Sequence, residues 1–169
     1  MPVYREAVES DVLAICLVGE EINAIHRAAY PSIFAGAPED PSRDAAHWAS
    51  SIGKPSATTF LAEEAGQIVG FVNVTIHDES HSLLRPLRFA RVGSVGVSAG
   101  HRGQGVGRSL MQHAEAWAQS QGATELRLNV WAFNSAAMQL YRELGYELRS
   151  HQLATVFRAE ALYLPNDRS

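Results

Sequence analysis

The chemistry in this chain concentrates where glycines, arginines and a helix start coincide. Arg102-Gly103-Gln104-Gly105-Val106-Gly107-Arg108-Ser109 follows a strand-like run from Val92 to Ser98. Behind it Val106, Leu110, Ala114, Trp117 and Ala118 share one face of a helix. Gly103, Gly105 and Gly107 remove Cβ atoms where the backbone turns tightly and comes close to something. The first amides of a helix lack intrahelical acceptors, and the helix dipole adds partial positive charge there, so such a start binds anions. Arg102 and Arg108 flank the turn and reinforce that field. These residues predict a site for phosphate or pyrophosphate.

Three Gly-rich patterns compete for that phosphate. A nucleoside-triphosphate loop needs G-x-x-x-x-G-K-[ST]. Here its first Gly falls on Arg102 and its Lys is Arg108, so nothing is placed to reach β/γ-phosphates. A dinucleotide fingerprint needs G-x-G-x-x-G and an acid at the tip of the next strand. The last glycine spacing is wrong, and the next strand ends in Asn129-Val130-Trp131. The third pattern, R-x-x-G-x-G directly after Val95-Gly96-Val97, fits. A second segment accompanies it: Asn134, Ala137, Tyr141, Gly145 and Tyr146 stand in the order N-x-x-A-x-x-x-Y-x-x-x-G-[FY]. Together the two segments resemble the motifs of the GNAT superfamily of N-acetyltransferases, and the wider resemblance runs from about Val3 to Glu160.

The resemblance implies acetyl-CoA as co-substrate, no metal, and transfer of acetyl to a primary amine of a small molecule or protein by direct attack in a ternary complex. It implies that backbone groups of Val95, Gly96 and Val97 pair with the pantetheine arm like an added strand. An amide of Val97 or its neighbour would polarise the acetyl carbonyl, and Arg102 through Ser109 would hold the pyrophosphate. Tyr141 matches the family's general acid for the departing thiolate, and Asn134 its pantetheine contact. Read from the residues alone, Tyr141 is equally a core aromatic on a face with Ala137 and Leu140, and Asn134 a helix N-cap. Many relatives carry a Glu on the central strand as base, but Gly93 and Ser94 stand there. Glu21, His26, His77, Asp78 or a water chain could replace it, and no base is assigned. Cys16 has no triad partner in the pattern, so no covalent intermediate is implied. The alternative is an acyl-CoA-binding sensor of the same fold that has lost turnover.

These residues must be positioned by the elements around them. Val3 to Glu6 reads as a strand. A helix follows, capped by Ser10 or Asp11, with Val12, Ile15, Gly19, Ile22, Ile25 and His26 on one face, and it ends near Tyr30-Pro31. Pro31 to Pro41 is a loop and Arg43 to Ile52 a short helix. Thr58 to Glu64 and Gln67 to His77 form a hairpin around Ala65-Gly66. Asp78 to Pro86 is a loop, Phe89 to Ser98 the central strand, Gly105 to Gln121 the central helix closed by Gly122, and Glu125 to Val130 a parallel strand reached by a right-handed crossover. Asn134 to Leu144 is a helix. Tyr146 to Gln152 and Ala154 to Glu160 are candidate final strands. The expected fold is α+β: a mixed, mostly antiparallel sheet of about seven strands with a parallel central pair and helices on both faces. The first helix, the Pro31 to Pro41 loop, the Asp78 to Arg88 loop and Trp131 to Phe133 would line the acceptor pocket. Trp131 and Phe133 would either stack on the acceptor or pack under the sheet.

At 169 residues the chain suits one domain, expected over residues 1–164 with a frayed tail at 165–169. Hydrophobic residues at 46 % suffice for a substantial core. A net charge of -4 argues against a general nucleic-acid binder, whose affinity needs a basic surface. One cysteine permits no intramolecular disulfide and suits a reducing compartment. The start lacks a signal-type apolar stretch, and no apolar run is long enough to span a bilayer. The expectation is a cytoplasmic protein with no membrane partner. Edge pairing through Ala154 to Glu160 would allow a homodimer.

Overall fold

A computed structural model describes residues 1–157. Strand β1 is Val3–Glu6 and helix α1 is Val12–Ala29. Short helix α2 is Ala45–Ala49, preceded by a 3-10 turn at Pro41–Asp44. Strands β2, Ala57–Glu64, β3, Gln67–Glu79, and β4, Leu87–Val97, follow. Helix α3 is Val106–Ser120, strand β5 is Leu126–Arg127 and helix α4 is Ser135–Glu143. The strands lie in the order β1-β2-β3-β4-β5, antiparallel except for the parallel pair β4–β5. No described helix is long and apolar enough to cross a membrane.

Local chemistry explains the hairpin. Glu64 pairs with Gln67, so the β2–β3 connection has two residues, Ala65 and Gly66, at φ 50° and 76°. Positive φ at both centres gives the turn whose twist matches the flanking strands. The α1 start differs from expectation. Asp11 does not cap the helix. Its carboxylate accepts the Val8 amide at 2.8 Å and pairs with Arg5 at 2.7 Å, and the Arg5 guanidinium holds it below the usual carboxylate range.

The sheet is buried on both faces because its strands alternate between two cores. Phe60, Ala62, Val72, Val74, Ala90 and Val92 point toward Leu110, Met111 and Ala114 of α3. Leu61 and Phe71 point toward Ile15, Cys16 and Val18 of α1 and toward Trp48 of α2. The approach of α1 to β4 is close. A Cβ at Gly96 would lie 1.8 Å from Ile22 Cδ1 and 3.2 Å from Phe71 Cε1. A side chain at Gly96 would therefore have to displace the Ile22 side chain of α1.

Five strands are present among the described residues, rather than about seven. The expected strand at Glu125 to Val130 shortens to Leu126–Arg127. Tyr146 to Gln152 carries no strand, and neither do the first four residues of the expected strand Ala154 to Glu160. The rest of that strand, and the tail, lie outside the described residues. Strand-like composition needs a partner offering a matching ladder, and tertiary geometry alone supplies one.

Replacing Gly96 with Ala is expected to destabilise the protein by about 1–3 kcal/mol through overpacking. Combining it with Ile22→Ala should cost less than the sum of the two single changes, because the clash is removed. Urea unfolding of the three variants measures this coupling, and strict additivity would refute the close approach.

Candidate active site

Strand β4 pairs fully on one side and only briefly on the other. Toward β3 its ladder runs from Leu87 to Val97, interrupted at Gly93, where Asn73 opposes Ser94 and Val74 opposes Val92. Toward β5 only Ala90 and Arg91 are paired, opposite Leu126 and Arg127. Past Arg91 the two chains separate.

Amide directions in the separated part follow from strand alternation. The Ser94 amide donates to Asn73 Oδ1 at 2.6 Å, and the Ser98 amide to the Val69 carbonyl at 2.9 Å, both toward β3. The Val95 and Val97 amides therefore point to the opposite edge, where no strand lies among the described residues. The Val97 carbonyl on that edge accepts from Arg102 Nε at 2.8 Å.

The turn beyond β4 ends on free amides. Gly103 and Gly105 adopt φ 72° and 84°, which a side chain would oppose, and Gly105 is the residue before α3. Gly107 is helical, and a Cβ at this position would meet Leu140 at 3.5 Å and Val97 at 3.7 Å, ordinary contact distances, so only two of the three glycines are demanded by the turn. The first α3 amide with a backbone acceptor is that of Ser109, 3.0 Å from the Gly105 carbonyl. The amides of Val106, Gly107 and Arg108 precede it and have none among the described residues. Gln104 Nε2 donates to the Gly100 carbonyl at 2.9 Å and braces the turn. Neither arginine projects freely. Arg102 lies 3.7 Å from Glu21, and Arg108 pairs with Glu143 of α4.

Helix α4 completes the site. Asn134 is its N-cap, with Oδ1 accepting the Ala137 amide at 3.1 Å. Tyr141 belongs to the core cluster that includes Val106 of α3 and has Val95 and Val97 of β4 packed against it. Tyr141 is 8 % exposed, and burial pushes its phenol up to about 12. Its ring lies 5.7 Å from that of Tyr146, whose hydroxyl donates to Glu115 Oε1 at 2.8 Å. The Tyr141 hydroxyl has no hydrogen-bond partner among the described residues. Tyr141, Tyr146, Glu115, Leu126 and Leu128 line a cavity of about 790 Å³ between α3, β5 and α4.

The candidate bases separate clearly. Glu21 accepts the Ala99 amide at 2.8 Å and ties α1 to the turn. Asp78 is held by Arg88 at 2.7 Å. His77 stacks on Phe89 at 5.3 Å, and Arg127 also lies over that Phe89 ring, 3.8 Å from its centroid. His26 lies among Tyr30, Phe34, Trp131 and Phe133, so Trp131 and Phe133 pack against α1 rather than under the sheet. Cys16 is buried, and burial raises its thiol pKa, which makes it a poor nucleophile. Sequence reasoning missed Asn73, Tyr30 and Phe34. Asn73 had a signal, a polar residue inside the apolar run Phe71-Val72-Asn73-Val74.

Comparison with known proteins places this geometry. Residues 20–146 match the model of the family described as acetyltransferase (GNAT). Streptothricin acetyltransferase of Streptomyces lavendulae is 28 % identical over 137 residues, which is 81 % of this chain and 69 % of that protein. Mycothiol acetyltransferase of Thermobispora bispora is 38 % identical over 87 residues, 52 % of this chain but only 29 % of that protein. Among solved structures, a mutant BH1408 protein of Bacillus halodurans has TM-score 0.82 at 18 % identity, covering 92 % of this chain and 99 % of that one. The aminoglycoside acetyltransferase AAC(6')-Iy, in complex with a bisubstrate analogue of CoA, has TM-score 0.69 at 14 % identity, covering 94 % of this chain and 99 % of that one.

The environment of Tyr141 is testable by alkaline titration. Its folded pKa lies above the free value of 10, so the phenol stays protonated through neutral pH. The stability it contributes is full below pH 10 and is lost as pH rises toward 12. Subtracting the absorbance titration of Tyr141→Phe from that of the wild type should isolate a transition near pH 12. A transition at the free value would show that the ring is solvated.

Proposed function

The chain belongs to the acetyltransferase (GNAT) family, and from that premise we propose that it transfers acetyl from acetyl-CoA to a primary amine by direct attack in a ternary complex. The observation that carries this reading is the one-sided pairing of β4 beside the free amides of α3. An extended ligand arm with a phosphate at one end fits both features at once: a strand edge for the arm, and a helix N-terminus for the charge. Bound acetyl-CoA would supply an activated thioester.

The chain's residues divide the work. The Val95 and Val97 amides donate to the arm, and one of them donates to the acetyl oxygen as negative charge develops there. The backbone from Arg102 to Arg108, with the Ser109 hydroxyl, holds the pyrophosphate. Asn134 caps α4 with its oxygen, which leaves its amide nitrogen to reach the arm. Tyr141, protonated and without a partner, gives its proton to the departing sulfur.

The names of the similar proteins support acetyl transfer over binding alone, so the sensor reading is not favoured. The neighbour named as an aminoglycoside N-acetyltransferase supports nitrogen as the accepting atom.

Calorimetric titration should show acetyl-CoA binding, competition by CoA, and silence with ATP. Absence of acetyl-CoA binding would overturn the donor site. Tyr141→Phe should lower kcat by about 10²-fold, within the range for a general acid, with acetyl-CoA affinity changed less than about twofold. Thiol release with a panel of primary amines measures it, and an unchanged kcat would remove Tyr141 from the reaction.

A further inference from the structure

Five rings from three separate stretches converge beside the split. His26 and Tyr30 come from the end of α1, Phe34 from the following loop, and Trp131 and Phe133 from the segment after β5. His26 lies 5.1 Å from Phe34, 6.5 Å from Trp131 and 5.5 Å from Phe133, centroid to centroid. Tyr30 lies 5.2 Å from Trp131 and 5.8 Å from Phe133. Neither hydrophobic core includes them. Tyr30 and Trp131 remain 37 % and 39 % exposed, large for aromatic side chains already in ring contact.

The location is fixed by α1. Ile22 is the residue that meets Gly96 on β4, and His26 follows four residues later, about 6 Å along the axis. His26 Nδ1 lies 2.8 Å from the Ile22 carbonyl, which has no proton to give. Nδ1 therefore carries the hydrogen, and in the neutral ring Nε2 carries the lone pair. Nε2 has no partner among the described residues and is not among the buried unpartnered atoms.

Two carboxylates of α1 near the cluster are in ion pairs, with Glu20 Oε2 left buried without a partner among the described residues. On α1, Glu20 pairs with Arg27 at 2.6 Å, and Arg27 also donates to the Ala35 carbonyl at 3.3 Å. Glu21 serves the Ala99 amide and Arg102. From the loop and from the segment after β5 the uncharged rings Phe34, Trp131 and Phe133 meet His26.

We infer that this ring cluster is the acceptor subsite, that it takes a primary monoamine with a flat or apolar body, and that His26 Nε2 accepts the proton of its ammonium. The inference rests on the acetyltransferase reading above. Exposed faces of Tyr30 and Trp131 attract a cation and stack a flat body. A polyamine would bring further charges against rings that offer no carboxylate to pair with them.

Protons and electrons balance as follows. His26 Nε2 takes one proton from the ammonium and later passes it to water. The freed lone pair forms the C–N bond at the acetyl carbon, and the C–S bond breaks with its electron pair on sulfur. Tyr141 gives its proton to that sulfur and regains one from the nitrogen of the new amide.

The test uses phenethylamine and spermidine as probes. Without acetyl-CoA, phenethylamine should shift the His26 ring resonances, identified by their loss in His26→Asn, and the shift should vanish in Trp131→Ala. With acetyl-CoA, His26→Asn keeps a donor for the Ile22 carbonyl but has no base. It should lower kcat about 10²-fold with little change in KM, and added imidazole should restore part of the rate. A purely structural role would give no such rescue. Trp131→Ala should raise KM for phenethylamine about tenfold. Absence of the His26 shift, full activity of His26→Asn, or turnover of spermidine but not phenethylamine would each overturn the inference. If acetyl-CoA fails to bind while phenethylamine still shifts His26, the donor reading falls and the ring cluster stands as an amine site.

Discussion

Everything at this site depends on β4 being satisfied on one edge and unsatisfied on the other. Backbone N–H and C=O groups away from water need partners, and a central strand ordinarily finds them on both sides. Here β3 takes one side along the whole strand, while β5 leaves after Arg127. Past Arg91 the strand stays paired to β3 through Val97 while its other edge has no partner strand among the described residues.

Several independent contacts hold that opening. Asn73 supplies the side-chain acceptor that lets β4 bulge at Gly93, which sets which amides of its last residues face outward. The missing side chain at Gly96 lets α1 press Ile22 onto the strand. The Asn134 cap starts α4, and the Arg108–Glu143 pair ties α3 to α4. None of these contacts is strong alone. Together they bring the end of a strand, the start of one helix and the middle of another to one place.

Much of this was legible in the residues. The Gly103–Gly105 turn, the helix start behind it, the Ala65-Gly66 hairpin and the Asn134 cap are local events. Each is decided by φ preferences or by a hydrogen bond within four residues, and local events leave local patterns. The motif pair Arg102–Gly107 and Asn134–Tyr146 pointed to the family, and residues 20–146 match it. Other features were decided by packing. The missing side chain of Gly96 faces Ile22 of α1. Trp131 and Phe133 allowed packing under the sheet, but they lie against α1. The strand expected at Tyr146 to Gln152 has suitable residues and no ladder.

The sequence by itself therefore determined the turn, the helix boundaries near it, the buried apolar runs of β2 to β4, and the residue types available for chemistry. Only the tertiary structure decided where β4 and β5 part, which glycine serves a helix and which a turn, and that His26, 105 residues before Trp131, shares one ring cluster with it. The physical reason is range. Backbone preferences and caps act over a few residues, whereas pairing and packing join segments whose separation along the chain carries no information about their meeting.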